Sequence, residues 1–211
     1  SSDVCSFDLT GKFSAFRLLF LILFLILILF AVSSDKKSAI KITIYTMFTG
    51  YISTILKMFY AQPRPFQAYE VILPEGECPF DFGRPSGHSL GALAIYSSIY
   101  WTYFHKTKNI HESHTKKRRR IIILMLIIFI ILAVGLSRVY LGVHSYGQVL
   151  LGFSYGFLFF ILIITYLDKY FDELLPRLTN DSYKVRNFME ISLLFAILVS
   201  LATITYIVRR G

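Results

Sequence analysis

The sequence predicts an all-α membrane protein, built as one bundle of six transmembrane helices. Hydrophobic residues make up 55% of the 211 residues, including 20 phenylalanines, and the mean hydropathy is +0.59. One soluble core of this length could not bury so much apolar surface. The apolar residues also fall into separate long runs, which excludes an ordinary soluble enzyme.

Six runs are long enough to cross a bilayer, which takes about 17 to 25 residues. They cover residues 15–32, 39–59, 88–104, 121–137, 146–167 and 190–208. The first run follows Lys12 and Arg17 as a secretory signal would, but it exceeds the roughly 7 to 15 apolar residues of a signal and has no small-residue cleavage site after it. We therefore interpret it as a span. No repeat or internal boundary is visible, so residues 1–211 are expected to form a single domain.

The distribution of positive charge predicts the orientation of the bundle. If every run crosses the membrane, the loops 33–38, 105–120 and 168–189 share one face. Counting Lys41, just inside the following run, 14 of the 22 Lys and Arg residues lie on that face. The positive-inside rule places that face in the cytoplasm. The loops 60–87 and 138–145 then face the lumen or the cell exterior.

The basic run Lys116–Arg120 has two interpretations. Basic clusters beside a membrane helix can bind anionic lipid head groups, but they are also common topology anchors, and we favour the anchor. The net charge of +9 is spread over several loops, so nucleic-acid binding is not predicted.

Three histidines in the predicted loop 105–120 raise the possibility of a metal site. His105, His111 and His114 have only Glu112 and no cysteine beside them, which makes a closed site hard to build. A solvated loop without metal is favoured.

Two cysteines fall on the predicted luminal face. Cys5 and Cys78 could form a disulfide there. Independent thiols are favoured, because the sequence gives no distance between them.

Three segments place cations and histidines at predicted helix ends. They run from Lys57 to Pro65, from Pro85 to His88 and from Ser137 to His144. Phosphoryl transfer needs mainly positioning and positive charge, because negative charge is spread over the equatorial oxygens in the transition state. The segments therefore predict a phosphate site.

The first segment presents two different cations at one membrane edge. Arg64 has a planar fork suited to two phosphate oxygens, whereas Lys57 is a movable point charge. Pro65 forbids a helix at Arg64 itself. Without the spacing to Arg64, Lys57 would be interpreted as an interfacial lysine whose hydrocarbon stem lies in the lipid and whose amino group lies among the head groups.

The second segment predicts an anion cradle at a helix start. Pro85 favours the first turn, and the free N–H groups of Ser86, Gly87 and His88 would face an anion, with Gly87 allowing close approach. The alternative is a capping serine followed by an interfacial histidine. Arg84 has no assigned role.

In order and spacing, the three segments resemble the type 2 phosphatidic acid phosphatase superfamily, whose pattern is Lys-x6-Arg-Pro, Pro-Ser-Gly-His and Ser-Arg-x5-His-x3-Asp. The resemblance implies that His144 attacks phosphorus to give a phosphohistidine, and that His88 is the general acid. It implies no metal and no cofactor. The residues that it assigns to phosphate binding are Lys57, Arg64, Ser86, Gly87 and Arg138.

The chain departs from the family pattern at one position, where Gln148 replaces the aspartate that orients the nucleophile. A glutamine carbonyl can accept the His144 N–H if the amide is turned correctly, but it brings no negative charge. The glucose-6-phosphatase and dolichyl diphosphate phosphatase branches carry glutamine at this place, so Gln148 does not by itself imply an inactive enzyme. On this basis Gln148→Asp is expected to keep or raise turnover.

The resemblance implies a multi-pass membrane phosphatase that acts on a lipid phosphate or polyprenyl diphosphate among membrane lipids. Its site would face the lumen or exterior, in the endoplasmic reticulum, another endomembrane or the plasma membrane. An inactive structural subunit, a lipid phosphotransferase and a sugar-phosphate hydrolase stay open. The family usually has three helices before its first motif and two are predicted here, so an upstream helix is expected to be missing.

Overall fold

The structure is a computed structural model that describes residues 35–69, 81–105 and 113–178, and every regular element in these ranges is helical. The elements are α1 (Lys36–Tyr60), α2 (Pro65–Ala68), α3 (Gly87–Tyr100), α4 (His114–Tyr140), α5 (Tyr146–Leu162) and α6 (Asp168–Leu178). A π-helical turn, Trp101–His105, extends α3, and a second, Ile163–Leu167, joins α5 to α6.

The four middle predicted spans all lie in helices, while the predicted runs 15–32 and 190–208 lie outside the described residues. Three stretches are long and apolar enough to cross a membrane: Lys37–Ala68, His114–Tyr140 and Tyr146–Leu174. The predicted span 88–104 is helical but is not among these three. The count of six spanning helices stays a prediction.

Helix extends into the predicted loops, most extensively in two of them. The basic run Lys116–Arg120 lies in the first two turns of α4 rather than in a loop, and the predicted loop 168–189 is helical as far as Leu178. At Lys116–Arg120 the reason is that lysine and arginine are strong helix formers, so the helix extends beyond the apolar run that had set its predicted bound.

The histidines of the predicted loop 105–120 are found in different settings. His105 ends the π-helical turn and stacks on Trp101, with 4.2 Å between ring centroids, and His114 is the first residue of α4. His111 lies outside the described residues, as do Cys5 and Cys78.

Helix α3 occupies the centre of the bundle and packs against α1, α4 and α5. Its buried residues are small or polar except for one leucine, and they are Ser89, Leu90, Ala92, Ala94 and Ser98. This composition suits a helix that packs against protein on several sides.

Two glycines on α5 let that helix approach α3 closely. A Cβ atom on Gly152 would lie 2.6 Å from the Ser86 carbonyl oxygen, and one on Gly156 would lie 2.7 Å from that of Leu90. These distances are too short for any side chain. The contact therefore fixes the start of α3 against the first turns of α5.

A buried ion cluster joins the start of α1 to the start of α6. Lys41 Nζ lies 2.6 Å from Asp168 Oδ1 and 2.5 Å from Asp172 Oδ1, and the Tyr45 hydroxyl lies 3.4 Å from Asp168 Oδ1. Lys41 and Asp168 are almost fully buried. Ionised groups at such depth are stable only as a pair.

Lys41→Met is expected to destabilise the protein, because it leaves Asp168 buried without its cation. Removing one partner of a buried pair costs about 3–5 kcal/mol. Thermal unfolding in detergent measures the loss, and Lys37→Met, at an exposed position one turn earlier, is the control. The double variant Lys41→Met/Asp168→Leu should recover most of the loss. A single variant as stable as the parent would contradict the assignment.

Candidate active site

The three motif segments meet at one end of the bundle. The first follows α1, the second begins α3, and the third joins α4 to α5. Helices α1 and α4 run antiparallel to α3 and α5. The C-terminal ends of α1 and α4 therefore lie beside the N-terminal ends of α3 and α5, and these are the ends that carry the motifs. The basic run at the start of α4 lies at the opposite end.

Arg64 is buried at the centre of this end. It is the N-cap of α2, with Pro65 at the first helical position. Its Nη1 donates to the Val143 carbonyl oxygen at 3.0 Å and lies 3.1 Å from His144 Nε2. Its Nη2 lies 2.5 Å from Asp81 Oδ1, and its Nε donates to the Asp81 carbonyl oxygen at 3.0 Å. Arg64 thus links the first segment to the nucleophile predicted in the third.

Lys57 lies one turn before the end of α1 and points to the same place. Its Nζ binds Asp81 Oδ2. A Cβ atom on Gly87 would lie 3.5 Å from Lys57 Cε and 2.8 Å from Ser53 Oγ. Gly87 therefore permits α1 to bring Lys57 against the first turn of α3.

Asp81 is a site residue to which the sequence assigned no contact with the cations; its stretch was expected only to shape the entrance. Its carboxylate is shared by Lys57 and Arg64, and about a third of the side chain is exposed. Burial opposes its ionisation, but the charges of Lys57 and Arg64 outweigh burial and lower the pKa of Asp81 to about 2. The only sequence feature that could have indicated this role is the presence of an acidic residue shortly before Pro85.

A tight turn carries the chain from Arg138 to His144. Gly142 adopts φ 68°, a conformation that favours glycine, and its N–H donates to the Val139 carbonyl oxygen at 2.9 Å. The turn brings the His144 N–H to the Arg138 carbonyl oxygen at 3.3 Å. Arg138 is half-buried, and its Nε lies 3.3 Å from Ser137 Oγ. The five residues that separate Arg138 from His144 in the motif thus form this tight turn.

Backbone groups fix the orientation of the Gln148 amide. Its Nε2 donates to the Pro63 carbonyl oxygen at 3.0 Å, and its Oε1 accepts from the Ser145 N–H at 3.2 Å. The same Oε1 lies 3.3 Å from His144 Nδ1. Since Oε1 can only accept, the proton of the neutral ring is assigned to Nδ1, and Nε2 carries the lone pair.

The surroundings of His144 keep the ring neutral. The side chain is almost fully buried. Burial, together with the charges of Arg64 and Lys57, lowers the pKa of His144 from about 6.5 to about 3. A nucleophilic nitrogen must be unprotonated, and this one faces a cation that can hold phosphate.

Ser86 has the capping role that was the alternative interpretation. It is fully buried, its Oγ accepts from the Ser89 N–H at 3.4 Å, and its own N–H donates to the Gln148 carbonyl oxygen. The N–H groups of Gly87 and His88 belong to the first turn, where no intrahelical carbonyl can accept them. The His88 side chain is exposed at its edge, but burial of part of the ring, together with the charges of Arg138, Lys57 and Arg64, lowers the pKa of His88 to about 4.

Arg84 lies at the edge of the site. Its guanidinium group stacks over the Tyr60 ring at 5.1 Å, and its Nη1 lies 3.4 Å from Gln62 Oε1. The Tyr60 and Tyr155 hydroxyls are 2.8 Å apart. These contacts attach the segment before Pro85 to the end of α1 and, through Tyr60, to the middle of α5.

Comparisons with known proteins agree on one family. The family model described as PAP2 superfamily matches residues 38–172. Phosphatidylglycerophosphatase B of Bacillus subtilis is 41% identical over 96 residues, which are 46% of this chain and 42% of that protein. The chain thus matches less than half the length of this relative.

A solved structure is also similar. It is the crystal structure of a transmembrane PAP2-type phosphatidylglycerolphosphate phosphatase from Bacillus subtilis, which matches with a TM-score of 0.56 and 26% identity. The match covers 72% of this chain and 70% of that one.

Gln148→Glu is expected to lower both stability and any turnover. The new carboxylate would keep the acceptor for His144 but would place an oxygen against the Pro63 carbonyl oxygen, where Gln148 now donates. An unsatisfied buried group costs about 1–3 kcal/mol. The shorter Gln148→Asp could not reach Pro63, so these contacts do not support the expectation that aspartate keeps or raises turnover. Thermal unfolding and phosphate release measure both effects, and a glutamate variant at least as active as the parent would refute this reasoning.

His144 is expected to stay neutral, with its proton on Nδ1, when the pH falls from 8 to 5. Because its pKa is lower in the folded protein than in the unfolded chain, its stabilising contribution is complete above about pH 6.5 and is lost as the pH falls toward 3. NMR of 15N-histidine-labelled protein in detergent tests this, with His144→Gln identifying the resonance. A ring that protonates near pH 6.5 would contradict it.

Proposed function

The chain belongs to the PAP2 superfamily, and we propose that it is an integral membrane phosphatase. It hydrolyses a lipid phosphate or polyprenyl diphosphate through a phosphohistidine at His144. It needs no metal, because the fixed cations supply the positive charge. Lys57, Arg64 and Arg138 are those cations.

The observation that carries this proposal is the setting of His144. Gln148 accepts at Nδ1, so the lone pair at Nε2 is directed toward Arg64, 3.1 Å away. A phosphate held by Arg64 would therefore have its phosphorus beside the nucleophilic nitrogen. This arrangement supports attack by Nε2 without an extra base, once the Arg64 N–H that binds Nε2 has turned to the phosphate.

In the first step, Nε2 of His144 forms a bond to phosphorus while the ester or anhydride oxygen leaves. The negative charge of the bound phosphate favours the protonated form of His88. Protonated His88 donates its proton to that oxygen, and the leaving group departs as an alcohol or a phosphate. Negative charge on the equatorial oxygens is stabilised by Lys57, Arg64 and Arg138, and by the first-turn N–H groups of α3.

In the second step, water attacks the phosphohistidine. His88, now neutral, takes a proton from the water, and the P–N bond breaks to release phosphate and restore neutral His144. The exposed position of His88 suits this role, because it can exchange protons with solvent.

The substrate is proposed to be a lipid because the site lies at the ends of membrane-spanning helices. The names of the two Bacillus subtilis proteins, which refer to phosphatidylglycerophosphate, favour a glycerolipid phosphate within this class. The basic run at the opposite end of α4 favours a site on the luminal or exterior face.

The purified protein in detergent is expected to release phosphate from a lipid phosphate or prenyl diphosphate, to do so with EDTA present, and to be inhibited by vanadate. His144→Ala should lower the rate at least about a thousandfold, because it removes the nucleophile. A screen of lysophosphatidate, phosphatidate, phosphatidylglycerophosphate, prenyl diphosphates and glucose 6-phosphate identifies the substrate.

His105→Ala is the matched control, since His105 stacks on Trp101 at the opposite end of the bundle, and it should keep the parent rate. Equal rates for His144→Ala and the parent would refute the nucleophile assignment. No release from any substrate would favour an inactive structural member. Phosphoryl transfer to an added lipid alcohol in preference to water would identify a phosphotransferase.

A further inference from the structure

The Asp81 carboxylate occupies the two cations that the proposed function assigns to the substrate. Lys57 binds its Oδ2, and Arg64 Nη2 lies 2.5 Å from its Oδ1. Carboxylate and phosphate oxygens suit the same guanidinium fork. Asp81 and a phosphate therefore compete for this position.

The segment that carries Asp81 also packs beside the nucleophile. His144 is 2% exposed, and its ring makes a hydrogen bond with the Gly83 backbone. The Gly83 N–H donates to the Gln62 carbonyl oxygen at 2.8 Å, and a Cβ atom on Gly83 would lie 2.8 Å from Gln148 Nε2. A phosphorus atom can therefore reach His144 only if the surroundings of the ring shift.

We infer that Asp81 makes the site selective for phosphate groups that carry two negative charges. The inference rests on the proposed function. In the resting protein Asp81 holds Lys57 and Arg64, and a dianionic phosphate displaces it. A monoester or a terminal diphosphate group brings three free oxygens and close to two charges, whereas a phosphodiester brings two free oxygens and one charge, no more than Asp81 itself.

Such selectivity matters at a membrane surface. Most phospholipid head groups are phosphodiesters, and they outnumber any substrate at the mouth of a site among helix ends. Two uncovered cations would bind them, as basic groups near a membrane do. Acid would not release Asp81 within the working range, since its pKa is about 2.

A different role for Asp81 leads to the opposite expectation. If Asp81 only positions Lys57 and Arg64, its removal should weaken the binding of every phosphate. If it competes with phosphate, its removal should strengthen binding, and most of all for ligands with one charge. The sign of the change separates the two roles.

The experiment measures the thermal unfolding of the full chain in detergent at pH 8 with inorganic phosphate or dimethyl phosphate, a monoanionic diester. In the parent, inorganic phosphate should raise the unfolding temperature at concentrations where dimethyl phosphate does not. In Asp81→Asn, dimethyl phosphate should bind at least about tenfold more tightly than in the parent, which is the effect of losing one charge-assisted competitor.

Asp172→Asn is the control, because it also removes a carboxylate from a lysine, but at the opposite end of the bundle. This variant should keep the parent's preference for inorganic phosphate over dimethyl phosphate. Asp81→Ser, which also lacks the carboxylate, replaces Asp81→Asn if that variant does not fold.

The outcomes separate this inference from the proposed function. If inorganic phosphate stabilises the parent but the Asp81 variants bind dimethyl phosphate no better, only the role of Asp81 is refuted. A parent that binds both ligands equally refutes it without any variant. If neither ligand stabilises parent or variants, the proposed phosphate site is refuted as well.

Discussion

The rest of the site depends on the contacts of Gln148, because they join all three motif segments. Its Nε2 binds the Pro63 carbonyl of the first segment, its backbone carbonyl accepts from Ser86 in the second, and its Oε1 orients His144 in the third. An aspartate side chain could accept the His144 N–H but could not donate to the Pro63 carbonyl oxygen. In this chain glutamine is thus suited to hold the segments together, and Arg64 supplies positive charge on the other side of the ring.

Buried charge pairs occur at both ends of the bundle, but they differ in how permanent they can be. At one end Lys41 and Asp168 are both almost fully buried, so separating them would leave an isolated ion in a medium of low dielectric constant. At the other, about a third of Asp81 is exposed to solvent while its partners are more deeply placed. The carboxylate can therefore leave into water, provided that another anion takes its place.

The sequence predicted the four middle helices because an apolar run of spanning length has few alternatives to a helix. It also predicted which residues would meet, since motif spacing and alternating helices bring Lys57, Arg64 and His144 to one end. Helix bounds were less predictable, because Lys116–Arg120 are polar yet favour helix.

Contacts between distant residues were not predictable. Nothing in a single sequence indicates that Asp81, in a stretch without periodicity, bridges two cations, or that Lys41 meets an acid 127 residues away. Such contacts arise from the packing of segments that are distant in the chain. The role of Ser86 was equally ambiguous, because the same residue type caps helices and binds anions.

The central position of α3 has a consequence for biosynthesis. Its small and polar buried face suits contact with protein, and it is not among the described stretches that are both long and apolar enough to cross a bilayer. As the chain leaves the ribosome, α3 is made before α4 and α5, its later neighbours. The buried face of α3 can therefore gain its full set of protein contacts only after both of these helices have been made.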